Sequence, residues 1–508
     1  MFDRADAPRV FGVSPGADFC SELITGLDMR LKEAALQNSA RIEIWVNTRR
    51  MARRLTALYS RRSMLLPRIR VITDVEIERA VLDVPDPISA LERRLRLVEL
   101  VSSLVASGTL DAPRNAVYGL ADSLAALLDE MDGEEVTADN LAELDTGDES
   151  GHWQRSVAIL QAATTYATGP EVGISQERAR AMVTERLLQF WTTAPPDYPI
   201  ILAGSTGSRR TTRALMAAAA HLPQGAVVLP GFDFTMGDEM LTALADDNAS
   251  QDHAQFRLTH FLAEIGSHYA EVMPWSNDET TARQRLVSLS LCPAPVTDIW
   301  AKAAPEFRGV RAATAGITLL EAPSERLEAQ AIAIRLREAV ENGTEAALVT
   351  PNRTLARRVT ALLDRWKIVP DDSAGRPLPL SPPGRLLLLL LEWPDRPSVE
   401  DLVKLLRNPL VHRGAARGDH LLRLQRLELA ARDRGYVYLN REDLDSWAGD
   451  AESDWVDWIY QTLMQPNFGR DAPLANHLNA FLDRAEALCA GSEPAASANV
   501  LWEEAAGR

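Results

Sequence analysis

Three short apolar runs, each opening into a polar loop and then a helical stretch, set the strongest limit on how this chain folds. They are residues 9–13 (RVFGV), 41–46 (RIEIWV) and 198–203 (YPIILA), and a fourth run, AVVLP from Ala226, follows the third helix directly. Apolar runs of this length without alternation are typical of strands buried on both faces of a parallel sheet. The sequence therefore predicts the α/β class.

The stretch between the second and third runs indicates an inserted helical domain. It contains long helical patterns such as ISALERRLRLVELVSSLVA and SLAALLDEM, with no strand signal between them. We therefore expect a first α/β lobe that is split in sequence by a helical insertion. The predicted bounds are 1–85 and 195–300 for the lobe, and 86–194 for the insertion.

A second lobe is predicted to begin further along the chain. Strand patterns at 316–321 (GITLLE) and 346–350 (AALVT) flank a helical stretch, so we expect the start of this lobe over residues 310–410. Residues 411–508 are predicted to be a second helical insertion. Their last helical pattern carries no stop signal, which favours a chain cut from a longer protein.

An internal repeat links the two predicted lobes. Residues 51–58 (MARRLTAL) and 355–362 (LARRVTAL) are identical at six of eight positions, and each follows a strand pattern and a loop containing Thr, Asn and Arg. Two RecA-like lobes with helical insertions would place such equivalents far apart in the sequence. The alternative is coincidence in a chain rich in Ala and Arg.

The charges are unevenly distributed along the chain. The formal net charge is −17, yet residues 41–70 hold nine arginines and a single acid, whereas residues 121–150 hold eleven acids and no basic residue. A phosphate backbone responds to the local potential, so a chain of negative total charge can still present a basic face to nucleic acid. The plainer interpretation is a preference for Arg over Lys together with one solvated acidic helix face.

The first loop lies where a phosphate-binding loop is expected, but it lacks the required chemistry. Gly12, Ser14, Gly16 and Asp18 follow the first strand, no lysine follows them, and Asp18 would repel a phosphate. We interpret this loop as a degenerate nucleotide loop. It also matches the G-x-S-x-G pattern of hydrolases, but Pro15 has no N–H to offer an oxyanion hole.

Other catalytic and metal-binding patterns are missing from the sequence. The third strand ends in Ala203 and Gly204 rather than in the acids that hold magnesium in ATPases. No acid-x-Lys pair of a nuclease, no HExxH and no CxxC is present. We therefore predict no catalytic residues and no metal or cofactor in this segment.

The positive signal is a set of small polar residues and arginines at predicted helix starts. Helix N-termini favour anions, and ligands dock at the carboxyl edge of parallel sheets. Such residues suit sequence-independent contacts to phosphates, although ordinary capped helix starts would look the same. The predicted DNA-binding residues are Asn47, Thr48, Arg49, Arg50, Arg53, Arg209, Arg210, Thr350, Asn352 and Arg353, with Ser205, Thr206 and Ser208 beside them.

Several stretches resemble the AddB subunits of bacterial AddAB helicase–nucleases, most closely the alphaproteobacterial type. The more specific matches are ILAGSTGSRRTTRALMAAAAHLPQGAVVLPGFDF and ALVTPNRTLARRVTALLDRWKIVPDDSAGRPLPLSPPGRLL; VFGVSPGADF, LEAPSERLEAQAIAIRLRE and LVKLLRNPLVHRG support them. AddB proteins are similar to superfamily 1 helicases with an inactive motor, followed by a nuclease domain. Since family members have roughly double this length, the resemblance covers their N-terminal half.

The resemblance implies a non-catalytic subunit that guides single-stranded DNA during double-strand break repair and recombination. Its implied partners are DNA, as a single strand and a duplex end, and an AddA-type subunit that uses ATP and Mg²⁺. The nuclease Mg²⁺ and an iron–sulfur cluster, present in some members, would belong to a C-terminal domain absent here. Under this reading the acidic residues 129–135 should stay clear of the DNA strand, because unpaired acids facing phosphates cost affinity.

One alternative belongs to a different class of protein. The chain could be a stand-alone nucleotide-dependent enzyme that uses the loop at residues 204–210 as its phosphate site, so whether it is itself an enzyme stays open. The sequence also lacks a signal-peptide pattern at its start, where acids replace the basic stretch, and this favours a cytoplasmic protein without a membrane partner.

Overall fold

A computed structural model gives the architecture, and its contacts divide the chain into two compact units, Met1–Thr318 and Leu319–Arg508. The described residues are 1–2, 7–31, 39–62, 65–74, 82–137, 140, 160, 163–164, 173–246, 250–276, 280–375, 377–413, 416–465, 472–490 and 501–502. The two units are described separately below.

The first unit is built on a six-stranded sheet in which every neighbouring pair is parallel. The strand order across the sheet is β3-β2-β4-β5-β1-β6. The strands are β1 Val10–Gly12, β2 Glu43–Val46, β3 Arg68–Val71, β4 Ile200–Ala203, β5 Gly225–Leu229 and β6 Met273–Pro274. This arrangement confirms the predicted α/β class.

Helices connect these strands, and several begin at residues chosen for capping. Ser89 and Ser175 accept hydrogen bonds from backbone amides two or three residues into the helices that they precede, and Thr281 forms a capping box with Gln284. The helices of this unit are α1 Phe19–Leu31, α2 Arg49–Ser60, α3 Ala90–Ala106, α4 Val117–Glu134, α5 Gln176–Thr193, α6 Arg210–His221, α7 Asp238–Leu244, α8 Phe256–Glu264, α9 Ala282–Ser290, α10 Ile299–Ala303 and α11 Val310–Thr314.

Both faces of the sheet are covered, as the unbroken apolar strands require. Ile44 and Val46 pack with α1 and α2 on one face, whereas Trp45 lies on the other face against α5. The Trp45 ring meets the Trp191 ring edge-on, with 5.9 Å between the centroids. Two separate apolar cores therefore hold β2 from opposite sides, which keeps the ends of the strands in a defined position.

The helical stretch between β3 and β4 contributes to two different cores. Helices α3 and α4 pack together around Leu97, Val101 and Leu124, and α5 sends Leu187 and Trp191 into the core on the sheet. Much of residues 138–172 lies outside the described part of the chain. In the described part, α5 belongs to the layer of helices that covers the sheet.

The second unit is helical over its described residues. Its main core gathers Leu386, Leu405, Leu424 and Trp455 with further buried side chains, and a smaller one joins the first two helices of the unit. These helices are α12 Glu325–Glu341, α13 Arg353–Asp364, α14 Pro382–Leu391, α15 Val399–Leu406, α16 Arg417–Asp433, α17 Arg441–Ala448, α18 Ser453–Ile459 and α19 Leu474–Cys489.

The strands predicted at 316–321 and 346–350 are not formed. The described residues there belong to neither helix nor strand, and Leu319 and Val349 are 85% and 92% exposed. A strand requires a hydrogen-bonded neighbour, and the described residues of this unit provide none. The second RecA-like lobe is therefore not seen as a sheet.

The structure also bears on membrane insertion. The run of six leucines at the end of α14 belongs to a helix of only 10 residues. Among the described residues, no helix combines the length and the apolar character that crossing a bilayer would require.

Candidate nucleic-acid interface

The predicted basic loops of the first unit follow two adjacent strands. Strands β2 and β4 pair in parallel with Val46 opposite Ala203, so both end at the same edge of the sheet. The chain then turns to opposite sides, because β2 leads to β3 at one border while β4 leads to β5 in the other direction. Such a divergence opens a crevice at the carboxyl ends of the strands, where ligands bind in open α/β sheets.

The loop after β2 forms a capped helix start that points its polar groups outward. Thr48 is the N-cap of α2, and its hydroxyl accepts a hydrogen bond from the Met51 amide at 3.1 Å. The following arginines lie in the first turns of the helix, and Asn47, Arg49, Arg50 and Arg53 are all exposed. The structure thus brings this predicted group together, with Thr48 serving the backbone and the arginines facing solvent.

The loop after β4 contacts the first loop directly. Gly204 has a φ of +79°, and a Cβ atom built there would lie 2.6 Å from the Met51 Cε atom of α2. Only glycine fits this left-handed position at such close approach. The loops after β2 and β4 are therefore packed against one another.

The hydroxyl groups of the second loop have different roles. Ser205 is buried, and its Oγ accepts a hydrogen bond from the Gly207 amide at 3.2 Å, so this side chain shapes the loop. Ser208 is exposed, and its carbonyl accepts from the Arg257 guanidinium at 3.0 Å. Thr206 is half-buried. Arg209 and Arg210 follow at the start of α6, and their side chains are 55% and 53% exposed.

Each of three arginines at this edge contacts a carboxylate that the sequence did not reveal. Arg49 lies 3.4 Å from Asp74, and the pairs around α6 are shorter, with Arg209 at 3.3 Å from Glu177 and Arg210 at 2.9 Å from Glu135. These pairs join residues 25 to 75 positions apart, and no local pattern signals such contacts. Glu135 also lies in the acidic stretch that was expected to stay clear of the DNA, and the structure instead places it on a predicted DNA contact.

The degenerate nucleotide loop carries its own anion. Asp18 caps α1, accepts hydrogen bonds from the Ser21 hydroxyl at 3.0 Å and amide at 3.4 Å, and pairs with Arg54 at 2.7 Å. Partial burial works to raise the pKa of Asp18, but the hydrogen bonds from Arg54 and Ser21 outweigh it and hold the pKa below its usual value. A negative charge is therefore fixed at the helix start where a phosphate would bind.

The rest of that loop is closed by backbone bonds and aromatic side chains. The Val13 amide donates to the Leu229 carbonyl at 3.0 Å, and the Val13 carbonyl accepts from the Phe232 amide at 2.8 Å. A Cβ atom at Gly12 would lie 2.7 Å from Phe232, and Ser14 is buried. Gly16 has a φ of +85° in open space. This arrangement suits neither a phosphate cradle nor the exposed nucleophile of a G-x-S-x-G elbow.

The second unit repeats the capped helix start. Asn352 caps α13 by accepting hydrogen bonds from the amides of Thr354 at 2.9 Å and Leu355 at 3.1 Å, while the Thr350 hydroxyl accepts from the Asn352 amide at 3.0 Å. Arg353 pairs with Asp372 at 3.2 Å. In the first unit, Thr48 caps and Arg49 pairs with an acid beyond the next strand, so the two segments of the sequence repeat share one local arrangement.

The described residues offer little for metal or redox chemistry. Across the described ranges, no group of three or more His, Cys, Asp or Glu side chains could hold a metal ion. Cys20, Cys292 and Cys489 are free thiols, all of them buried. Of the histidines near α8, His260 contacts the Leu244 carbonyl at 3.0 Å through Nε2.

Comparisons with known proteins add no family assignment. No protein-family model matches the chain, and no curated protein matches it. The AddB resemblance therefore rests on the sequence stretches given above and remains a hypothesis.

Proposed function

We propose that this chain is a non-catalytic helicase-like subunit that binds and guides single-stranded DNA in double-strand break repair and recombination, together with an ATP-driven AddA-type partner. The observation that carries this proposal is the pair of arginine-bearing helix starts on adjacent parallel strands, β2 and β4. A cytoplasmic location, and a RecA-like first lobe completed by a second lobe, are parts of the same proposal.

The chemistry of the edge suits a polyanion rather than a single small ligand. Exposed guanidinium groups from α2 and α6 line a surface formed by two touching loops, and no lysine or metal cluster among the described residues would focus on one phosphate. Phosphate contacts of this kind position a strand without reading its sequence. They also tolerate the negative total charge of −17, because screening limits distant charges to about 10 Å at 0.1 M salt.

The inactive-motor part of the proposal is supported by Asp18. Its carboxylate occupies the helix start after β1, and its partner Arg54 comes from α2. A nucleotide phosphate would have to displace that carboxylate and would meet loop amides already bonded to backbone carbonyls. Motor activity would then have to come from the partner subunit.

The salt dependence of DNA binding tests the interface. Replacing Arg49, Arg50 and Arg53 together with Ala should weaken binding of a fluorescein-labelled (dT)20 strand, measured by anisotropy between 50 and 300 mM salt. Each phosphate released from contact on a single strand should flatten the slope of log K against log salt by about 0.7, so the triple variant should lose up to roughly 2.

The control is the double variant Arg61→Ala with Arg62→Ala. These residues follow the end of α2, about 18 Å along the helix from Arg49 at 1.5 Å per residue, so their loss should change the slope much less. Equal slopes for the wild type and the triple variant would place the DNA path elsewhere and end the proposal for this edge.

The enzyme alternative has its own test. If the loop at 204–210 bound nucleotide, a fluorescent ATP analogue should bind at micromolar concentration with Mg²⁺ and be lost on Arg209→Ala. We expect no such binding, because Arg209 already holds Glu177 and no described acid cluster is available for Mg²⁺. Magnesium-dependent binding abolished by this substitution would overturn the inactive-motor proposal.

A further inference from the structure

Two glutamates from the helices between β3 and β4 lie on the arginines that start α6. Glu135 follows the last residue of α4, and Glu177 is in the first turn of α5. Their carboxylates lie 2.9 Å from Arg210 and 3.3 Å from Arg209, respectively. An acidic surface therefore faces the basic edge at the site proposed above for DNA.

The backbone holds Glu135 in this place by an unusual conformation. Glu135 adopts φ 55° and ψ 35°, the left-handed region that glycine normally occupies at the end of a helix. The Val136 amide closes the helix end on the Met131 carbonyl at 2.9 Å. A non-glycine residue at such a position is uncommon, and here it directs a carboxylate onto Arg210.

A second contact fixes the end of α4 to the start of α5. The Ser175 hydroxyl donates to the carboxylate of Asp132, while the same oxygen caps α5 by accepting from the Arg178 amide at 3.0 Å. This link keeps the two glutamates side by side. Glu177 additionally holds Arg180 of its own helix at 2.6 Å, so Glu135 is the cleaner of the two to test.

We propose that Glu135 and Glu177 are built-in competitors for DNA, occupying the arginines of α6 as stand-ins for phosphates until a strand displaces them. This inference rests on the proposed function and adds a regulation of the same site. Arg209 and Arg210 are more than half exposed, and exposed ion pairs of this kind are weak. A strand that engages several arginines at once gains from counterion release, so it can displace the carboxylates at low salt and not at high salt.

Neutralising the competitor should strengthen DNA binding. Glu135→Gln keeps the size of the side chain and removes its charge, so we expect about threefold to tenfold tighter binding of (dT)20 at 100 mM salt, with the larger gain when Glu177→Gln is added. The matched control is Glu134→Gln, which removes the same charge from an exposed neighbour that shows no ion pair with Arg209 or Arg210 in the described structure.

A second background separates this inference from the proposed function. In an Arg210→Ala chain, Glu135→Gln should no longer tighten binding, because its target is gone. Equal gains from Glu134→Gln and Glu135→Gln, or a gain that persists without Arg210, would reduce the effect to general charge and overturn the inference while leaving DNA binding intact. If none of these chains, the wild type included, binds (dT)20 at 50 mM salt, both the proposed function and this inference are wrong.

Discussion

At the scale of single residues, the most buried ionisable group of the second unit is His420. Its ring is 0% exposed, its Nε2 lies 3.0 Å from the Leu406 carbonyl, and its Nδ1 lies 3.1 Å from the Trp455 indole nitrogen. An indole N–H can only donate, so Nδ1 accepts, Nε2 carries the proton, and the ring is neutral. Burial lowers the pKa of His420, and the neighbouring charges of His412, Arg417 and Arg423 lower it further against the opposing Leu406 bond.

This histidine predicts a pH-dependent stability of the second unit. In the unfolded chain its pKa is about 6.5, so below that pH the unfolded state takes up a proton that the folded state refuses. Stability from this group is complete above about pH 6.5 and is lost as the pH falls towards the lowered folded value. Urea unfolding followed by Trp fluorescence should show a smaller difference between pH 7.5 and 5.5 in His420→Gln than in the wild type, and the exposed His268→Gln control should leave that difference unchanged.

At the scale of helices, α2 and α13 are a matched pair with matched controls. Removing the caps by Thr48→Ala or Asn352→Ala should each cost about 1 kcal/mol in the free energy of unfolding, because backbone amides lose their acceptors. Thr56 and Thr360 stand at equivalent interior positions, and each donates only to the carbonyl one turn earlier. Their replacement by Ala should be neutral or slightly stabilising in the same urea titrations; equal losses at cap and interior positions would contradict the shared arrangement.

At the scale of the whole molecule, the sequence predicted the central strands and missed the borders of the sheet. Strands β1, β2, β4 and β5 lie within or almost within the predicted apolar runs. Strand β3 is the edge segment RIRV, and β6 is a two-residue edge strand that includes a proline. Edge strands bury less of their surface, so they carry no continuous apolar signal.

The candidate site shows the same division between local and distant information. Helix starts and their caps follow from neighbouring residues, and the arginines of α2 and α6 were therefore placed at the right edge. Asp74, Glu135 and Glu177 reach those arginines only through the tertiary fold, so no spacing in the sequence announces them. The strands expected at 316–321 and 346–350 failed for a related reason, because pairing depends on neighbours that local patterns do not specify.

The internal anion at α1 has an evolutionary consequence. Asp18 both caps the helix through Ser21 and neutralises Arg54, so its loss alone would leave a helix start and a guanidinium unsatisfied. A lysine introduced first would be captured by the same carboxylate. No single substitution thus converts this loop into a phosphate-binding one, and the intermediate steps are each unfavourable. The loop behaves as a ratchet: once its carboxylate and arginine have paired, a return to nucleotide chemistry requires several changes at once.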